Sequence, residues 1–341
     1  MGTTALQEII TKVNKRYGGD TLIKGSQLNT FDIPRCTTGS LSFDVMLGGG
    51  WPLNQWNEII GNESNGKTVM VLKTIAANMA TDSSFECLWV ASEDFVPGWA
   101  SRLGVDLDRI TIATSNVMEE AYQIVIDTLD ARAVDAIVID SLPALVPGEE
   151  DEKQIEQFAV GLGARLTGKF MRKSGKSQKR SLVDDDRPCL GLIINQWREK
   201  IGITYGDPRT TPGGKAKNFH YFTRVEVARD EWLVGTESKD KVGLSIKART
   251  IKNKTAPPQR TGVVDFYFSD CPPFQAGDYD LTKEVFSMAV AYDIITRKGA
   301  YYEYDGQKWQ GKDSVLQSVR EEVDLYQSIS KEVMECVTRG R

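Results

Sequence analysis

The chain has 341 residues, long enough for about two domains, or one large core with appendages. Apolar residues make up 40% and charged residues 26%, an ordinary globular balance in a chain long enough to bury a core. Lys plus Arg number 42 against 47 Asp plus Glu, a formal net charge of −5, which excludes a uniformly basic, histone-like surface but leaves room for a local basic groove.

In chain order, residues 1–33 begin with a short amphipathic segment in which Leu6, Ile9, Ile10 and Val13 share a face, ended by Gly18-Gly19. So little apolar surface cannot fold alone, which predicts a docking arm. From 34 to 268, apolar strands at 56–60, 87–91, 109–113, 136–140 and 190–195 alternate with helical patterns at 67–79, 119–129 and 155–171. Near-continuous apolar strands separated by helices predict an α/β fold around a mainly parallel sheet buried on both faces. The next three strands, 224–228, 241–249 and 262–268, follow without intervening helices and predict an antiparallel extension. The charged stretch 174–187 shows no apolar period and is expected to be an exposed loop. Residues 269–341, opened by Cys271-Pro272-Pro273, read as a small α/β C-terminal domain ending in one charged helix near 315–337.

Cys36, Cys87, Cys189, Cys271 and Cys336 are scattered without a Cys-x-x-Cys pair, and His220 is the only histidine. A reduced, cytoplasmic chain without structural zinc is expected, with no histidine triad. No run of ~18 apolar residues and no leader pattern is seen, so no membrane span is expected.

Gly61-Asn62-Glu63-Ser64-Asn65-Gly66-Lys67-Thr68 fits G-x-x-x-x-G-K-[ST] and lies between a predicted strand and a predicted helix. Glycines allow backbone N–H groups to turn onto phosphates, and the helix N-terminus adds positive potential. Lys67 would reach the β- and γ-phosphates of ATP, and the Thr68 hydroxyl would ligate Mg²⁺. Asp140 ends the strand 136–140; such a residue is often a simple turn cap, but beside a phosphate loop it reads as the second Mg²⁺-positioning group. Glu93 and Asp94 follow the strand 87–91, and either could activate the attacking water. Gln196 directly follows the strand 190–195, with a neutral side chain suited to sensing a γ-phosphate.

Two basic elements could carry nucleic acid. The segment 197–217 holds Arg198, Lys200, Arg209, Lys215 and Lys217, with Gly202, Gly206, Gly213 and Gly214 giving mobility and free amides. A structureless loop of about 20 residues is usually functional or disordered. Arg165, Lys169, Arg172 and Lys176 form a stripe along the helix opposite Leu162, Leu166 and Phe170. Such a stripe is commonly a solvated face; next to the Gly-rich loop it reads as a phosphate track.

Together these residues resemble RecA-type DNA strand-exchange recombinases along nearly the whole chain. The resemblance runs through Cys36-Thr37-Thr38-Gly39-Ser40-Leu41-Ser42, the phosphate loop, Leu103-Gly104-Val105-Asp106 and Val134 to Ser141. It continues through Ile194-Asn195-Gln196-Trp197-Arg198, Gly206-Asp207-Pro208, Thr210-Thr211-Pro212-Gly213-Gly214 and Lys252-Asn253-Lys254. It implies a RecA-like ATPase core at 34–268 between an oligomerisation arm at 1–33 and a C-terminal domain at 269–341. The implied function is a filament on single-stranded DNA that pairs it with a homologous duplex and hydrolyses ATP with Mg²⁺ at subunit interfaces. Within it Glu93 would be the catalytic glutamate, and Gln196 the switch between γ-phosphate and DNA loop. Lys252 and Lys254, sharing one face if both lie on a strand, would reach a neighbour's ATP. The resemblance also places Trp99 against adenine, Ile201 as a wedge between bases, and Val160 in a first DNA loop. Competing readings are a ring-shaped motor on the same core and a DNA-binding mediator with a structural nucleotide.

Three departures limit the carry-over. The stretch 93–99 is about one residue short and lacks an acidic adenine contact, 174–187 is an insertion, and the chain ends Thr338-Arg339-Gly340-Arg341 without a long acidic tail.

Overall fold

The computed structural model describes residues 2–17, 22, 24, 33–151, 161–179, 187–199, 208–235 and 239–339. Its central sheet contains β1 (Gln55–Ile60), β2 (Cys87–Ala91), β3 (Ile110–Ala113), β4 (Ala136–Asp140), β5 (Leu190–Asn195), β6 (Thr223–Val234), β7 (Lys241–Asn253) and β8 (Thr261–Tyr267). Their order is β8-β7-β6-β1-β5-β4-β2-β3. The helices include α1 (Gly2–Tyr17), α2 (Leu41–Leu47), α3 (Lys67–Thr81), α4 (Met118–Ala131), α5 (Leu162–Lys179), α6 (Leu281–Ala291), α7 (Lys312–Glu321) and α8 (Val323–Arg339).

The strand alternation sorts side chains into two cores. Ile59, Trp89, Val138 and Ile194 pack with α3 on one face, while Leu88, Val90, Ile137, Ile139 and Ile193 pack with α4 and α5 on the other. β4 and β5 are buried along their whole length, which accounts for their unbroken apolar runs.

The expected antiparallel extension is present as β6, β7 and β8, but it joins the sheet through a parallel pair. β6 runs parallel to β1, with Val225 opposite Ile59, and antiparallel to β7, which is antiparallel to β8 in turn. A strand's direction depends on which free edge receives it, a non-local choice that no local pattern records.

The expected loop at 174–187 is corrected over 174–179, because α5 continues through Lys179, while residues 180–186 lie outside the described residues. Ser174 is buried, and its Oγ accepts from Trp56 Nε1 at 2.9 Å while donating to the Phe170 carbonyl at 2.9 Å. A polar residue facing the core through a hydrogen bond to an indole leaves no apolar period to detect. Residues 155–160 of the predicted helix lie outside the described residues, and the single predicted C-terminal helix is two, α7 and α8.

α6, α7 and α8 enclose a third core with the small sheet of Thr296–Lys298, Tyr301–Tyr304 and Gln307–Gln310. α2 joins this unit to the main core, since Phe43 and Leu47 pack in one and Val45 in the other. The joint is polar as well. Glu284 of α6, buried, accepts from Leu41 N at 3.1 Å, Ser42 N at 2.8 Å and Ser40 Oγ, capping the start of α2. Asp44 closes the same segment, accepting from Thr37 Oγ1 and Thr38 N, both at 2.7 Å. The segment 36–42 therefore acts as a structural clasp. Among the described residues no helix is long and apolar enough to cross a membrane.

Candidate nucleotide site and adjoining loop

The phosphate loop leaves β1 at Gly61 and enters α3 at Lys67. A Cβ at Gly61 would lie 2.2 Å from the Val227 carbonyl oxygen, so β6 reserves that position for glycine. Gly66, at φ +91°, turns the chain into the helix in the left-handed region that favours glycine. Asn62, Glu63 and Ser64 are exposed on the crest, and Asn65 is half-buried. Lys67 folds over the loop and donates to the Asn62 carbonyl at 2.7 Å. Burial lowers its pKa, against the opposing pull of Asp140, Glu93 and Glu63.

Thr68 Oγ1 donates to Asp140 Oδ2 at 3.2 Å. Burial, then the charge of Glu93, pushes the Asp140 carboxyl up to about 7, while Thr68 and Lys67 pull the other way. A hydroxyl and a carboxylate at this distance are the hard oxygen donors Mg²⁺ takes, with phosphates and water completing its shell. No cluster of three or more metal-ligating His, Cys, Asp or Glu occurs among the described residues, as a dedicated zinc cage would require.

Glu93 is positioned by the neighbouring strand. The Ser92 and Glu93 amides donate to the Asp140 carbonyl at 3.0 and 3.1 Å, and Ser141 Oγ donates to Glu93 Oε1. The Asp140–Ser141 peptide is cis. Asp94 is exposed and makes no comparable contact with this strand end. Trp99 is half-buried, its ring edge-on to Phe266 at 6.2 Å.

Gln196 follows β5, half-buried, its amide held by Asn195 Oδ1 at 2.9 Å. The segment beyond is not wholly structureless, since Arg198–Glu199 pairs antiparallel with Arg209–Thr210. Arg198 and Lys215 are exposed, and Gly213 and Gly214 adopt φ of +88° and +77°. The basic stripe of Arg165, Lys169, Arg172 and Lys176 is exposed along α5, with Phe170 inward. Val160, Lys200 and Ile201 lie outside the described residues.

Two lysine expectations change. Lys217 is not a solvent-facing groove cation, because its side chain is wholly buried. Its ammonium donates to Thr211 Oγ1 at 2.6 Å and Asn218 Oδ1 at 2.9 Å, and lies 3.5 Å from Glu58 Oε1. Lys252 and Lys254 are not strand partners at i and i+2, because β7 ends at Asn253. Both still reach the same segment, Lys252 Nζ donating to the Asn218 carbonyl at 2.6 Å and Lys254 Nζ lying 5.4 Å from the Phe222 ring centre. Burial, with the charges of Lys254 and Arg224, lowers Lys252 to about 8.

Glu58 was not anticipated as part of this arrangement. It is wholly buried and also accepts from Arg224 Nε at 2.6 Å and Asn195 Nδ2 at 2.8 Å. The available signal was its presence inside the apolar strand 56–60, where a buried carboxylate requires partners.

Residues 4–271 match the RecA N-terminal domain family, and residues 283–338 match the RecA C-terminal domain family. The chain is 33% identical over 333 residues to Protein RecA of Listeria ivanovii, covering 97% of this chain and 91% of that relative. It is 33% identical to Protein RecA of Synechocystis sp. over 97% of this chain and 90% of the relative. With Protein RecA of Lactobacillus delbrueckii subsp. bulgaricus the identity is 34%, over 96% and 95% respectively.

Proposed function

The chain belongs to the RecA family of DNA recombinases and is a DNA-dependent ATPase, and on that premise we propose how its residues divide the work. The family uses ATP; in this chain Gly61 to Thr68 and Asp140 would hold Mg²⁺·ATP, with Trp99 against the base. Bound Mg²⁺ would neutralise charge on the phosphates. Lys67 swings from the Asn62 carbonyl to the phosphate oxygens, and Thr68 and Asp140 present oxygen ligands. Glu93, held against the end of β4, orients the attacking water and takes its proton. Gln196 senses the γ-phosphate at the root of the DNA loop.

The observation that carries this reading is the convergence of these groups at the C-terminal ends of β1, β2, β4 and β5, where ligands bind in open α/β sheets. Single-stranded DNA would follow the stripe Arg165, Lys169 and Arg172 and the loop residues Arg198, Lys200, Ile201, Gly213, Gly214 and Lys215, with Val160 beside them. A homologous duplex pairs with that strand. The arm at 1–33 would dock on the next subunit's core, in keeping with exposed Leu6 and Ile9, and such a head-to-tail contact propagates as a helix. Lys252 and Lys254 would then face the neighbour's phosphates. Residues 34–268 form the working core and 269–341 a C-terminal cap, in a cytoplasmic protein.

The test is the ATPase rate with and without single-stranded DNA, with electron micrographs taken in parallel. Stimulated turnover and helical filaments are expected; closed rings would point to a motor, and unstimulated turnover to a mediator with a structural nucleotide.

A further inference from the structure

We infer that Lys217 is a positioning residue, coupling the DNA loop to the nucleotide end of the sheet through the buried carboxylate of Glu58. The inference rests on the assignment of the segment 197–217 as the DNA loop and gives the buried Lys217 at its end a role in which it touches neither DNA nor nucleotide.

Glu58 is the hub. Its two oxygens receive Lys217 and Asn195 on one side and Arg224 on the other, and both Glu58 and Lys217 are wholly buried. One arm runs from the Gln196 amide to Asn195 Oδ1, from Asn195 Nδ2 to Glu58, and from Glu58 through Lys217 to Thr211 Oγ1. It thus joins the residue entering the loop to the segment returning from it. A second arm runs through Arg224, paired across β6 and β7 with Lys252, whose ammonium holds the Asn218 carbonyl. The Asn218 side chain in turn accepts from Lys217. The backbone amide of Gln196 through Asn195, Lys252 through Arg224 and Asn218, and the loop's return segment through Lys217 are therefore all linked to one carboxylate.

The packing leaves the lysine little freedom. A Cβ at Gly213 would lie 2.9 Å from Lys217 Cδ and 3.0 Å from Leu142 Cδ2, so the loop backbone rests against the lysine stem. Buried charges cannot be left unpaired cheaply. When DNA draws on 210–214, the Thr211 tether must follow, and Lys217, Glu58 and Asn195 move with it or lose their contacts. The loop and Gln196 are thereby restricted to matched arrangements, the kind of two-state element that coupling between sites requires.

The experiment compares wild type with Lys217→Met, Lys217→Arg and Thr211→Val. It measures ATP hydrolysis without DNA and with saturating single-stranded DNA, and DNA affinity across a salt series with a non-hydrolysable ATP analogue. Lys217→Met keeps the stem and removes the charge; Thr211→Val removes only the tether and decides the matter if Lys217→Met does not fold. The expected result is DNA-independent hydrolysis within about twofold of wild type, with DNA stimulation about tenfold lower in Lys217→Met, partly restored by Lys217→Arg, and reduced in Thr211→Val. The salt slope should be unchanged, since a buried ammonium neutralises no phosphate. Full stimulation in Lys217→Met, or in Thr211→Val where Lys217→Met fails to fold, would overturn the inference, and so would a salt slope lower by about one. Wild type without stimulation would instead remove the DNA-loop assignment on which the inference stands.

Discussion

The ends of β1 and β5 lie side by side in the sheet, yet they are built by different means. At the end of β1, the phosphate loop takes most of its shape from consecutive residues. Gly66 turns the backbone into the helix and Lys67 satisfies itself on the loop's own Asn62 carbonyl, while Gly61 alone answers to a distant neighbour, the Val227 carbonyl. At the end of β5, the Gln196 amide is held by Asn195, but Asn195 and the loop's return are held in turn by Lys217, Glu58 and Arg224 from separate segments. A site specified by contiguous sequence is preorganised before its ligand arrives. A site held by a distant ionic hub can pass a change in one segment to another.

If the first site is complete within one chain, Glu93→Gln should lower DNA-stimulated turnover about a thousandfold while nucleotide binding, followed by a fluorescent analogue, stays near wild type. Loss of both together would show that Glu93 shapes the cradle rather than the chemistry. If the second depends on its neighbours, Lys254→Ala should cut stimulated hydrolysis about a hundredfold and spare nucleotide binding by the monomer, because a cation acting across the interface is missing only in the assembly. Equal loss of binding would place the lysine in its own subunit's site.

A contrast between two buried glutamates sharpens the comparison. Glu58 faces cations, whereas among the described residues Glu284 is met by neutral donors at the start of α2, and burial pushes its carboxyl up to about 7 from the usual 4.5. With the folded value raised, the folded chain holds a proton that the unfolded chain releases. The resulting stability is fully present below pH 4.5 and is lost as pH rises through 7, on the order of 3 kcal/mol for this group. Urea titrations at pH 5 and pH 8 should show that part of the pH dependence vanishing in Glu284→Gln; an unchanged profile would refute the role given to the joint. The smallest effect is expected from Ser174→Ala, about 2 kcal/mol in chemical denaturation, because Trp56 Nε1 loses its acceptor in the core. A neutral result would mean the end of α5 contributes little to the fold.

Much of the fold was legible because its signals are short-range. The apolar strands, the helices between them and the glycine-lysine loop each declare themselves within a few residues, and the strand-end acids Glu93 and Asp140 follow from strand boundaries. Lys217 was misread because a lysine in a Gly-rich basic segment gives no local sign of burial; only the facing carboxylate makes it tolerable. Ser174 was misread for the same reason, since its partner indole lies 118 positions earlier. The direction of β6 escaped because the pattern of one strand does not say which edge it joins.

By itself the amino-acid sequence determined the α/β class, the position of the G-x-x-x-x-G-K-T loop between a strand and a helix, and the family to which the chain belongs. All three are carried by neighbouring residues, or by their order along the chain. Only the tertiary structure decided that Glu58 gathers Lys217, Arg224 and Asn195, and that Glu284 clasps the C-terminal unit onto α2. A buried charge is compatible with folding only beside a partner, and in this chain those partners come from segments that meet only once the sheet and its flanking helices have assembled.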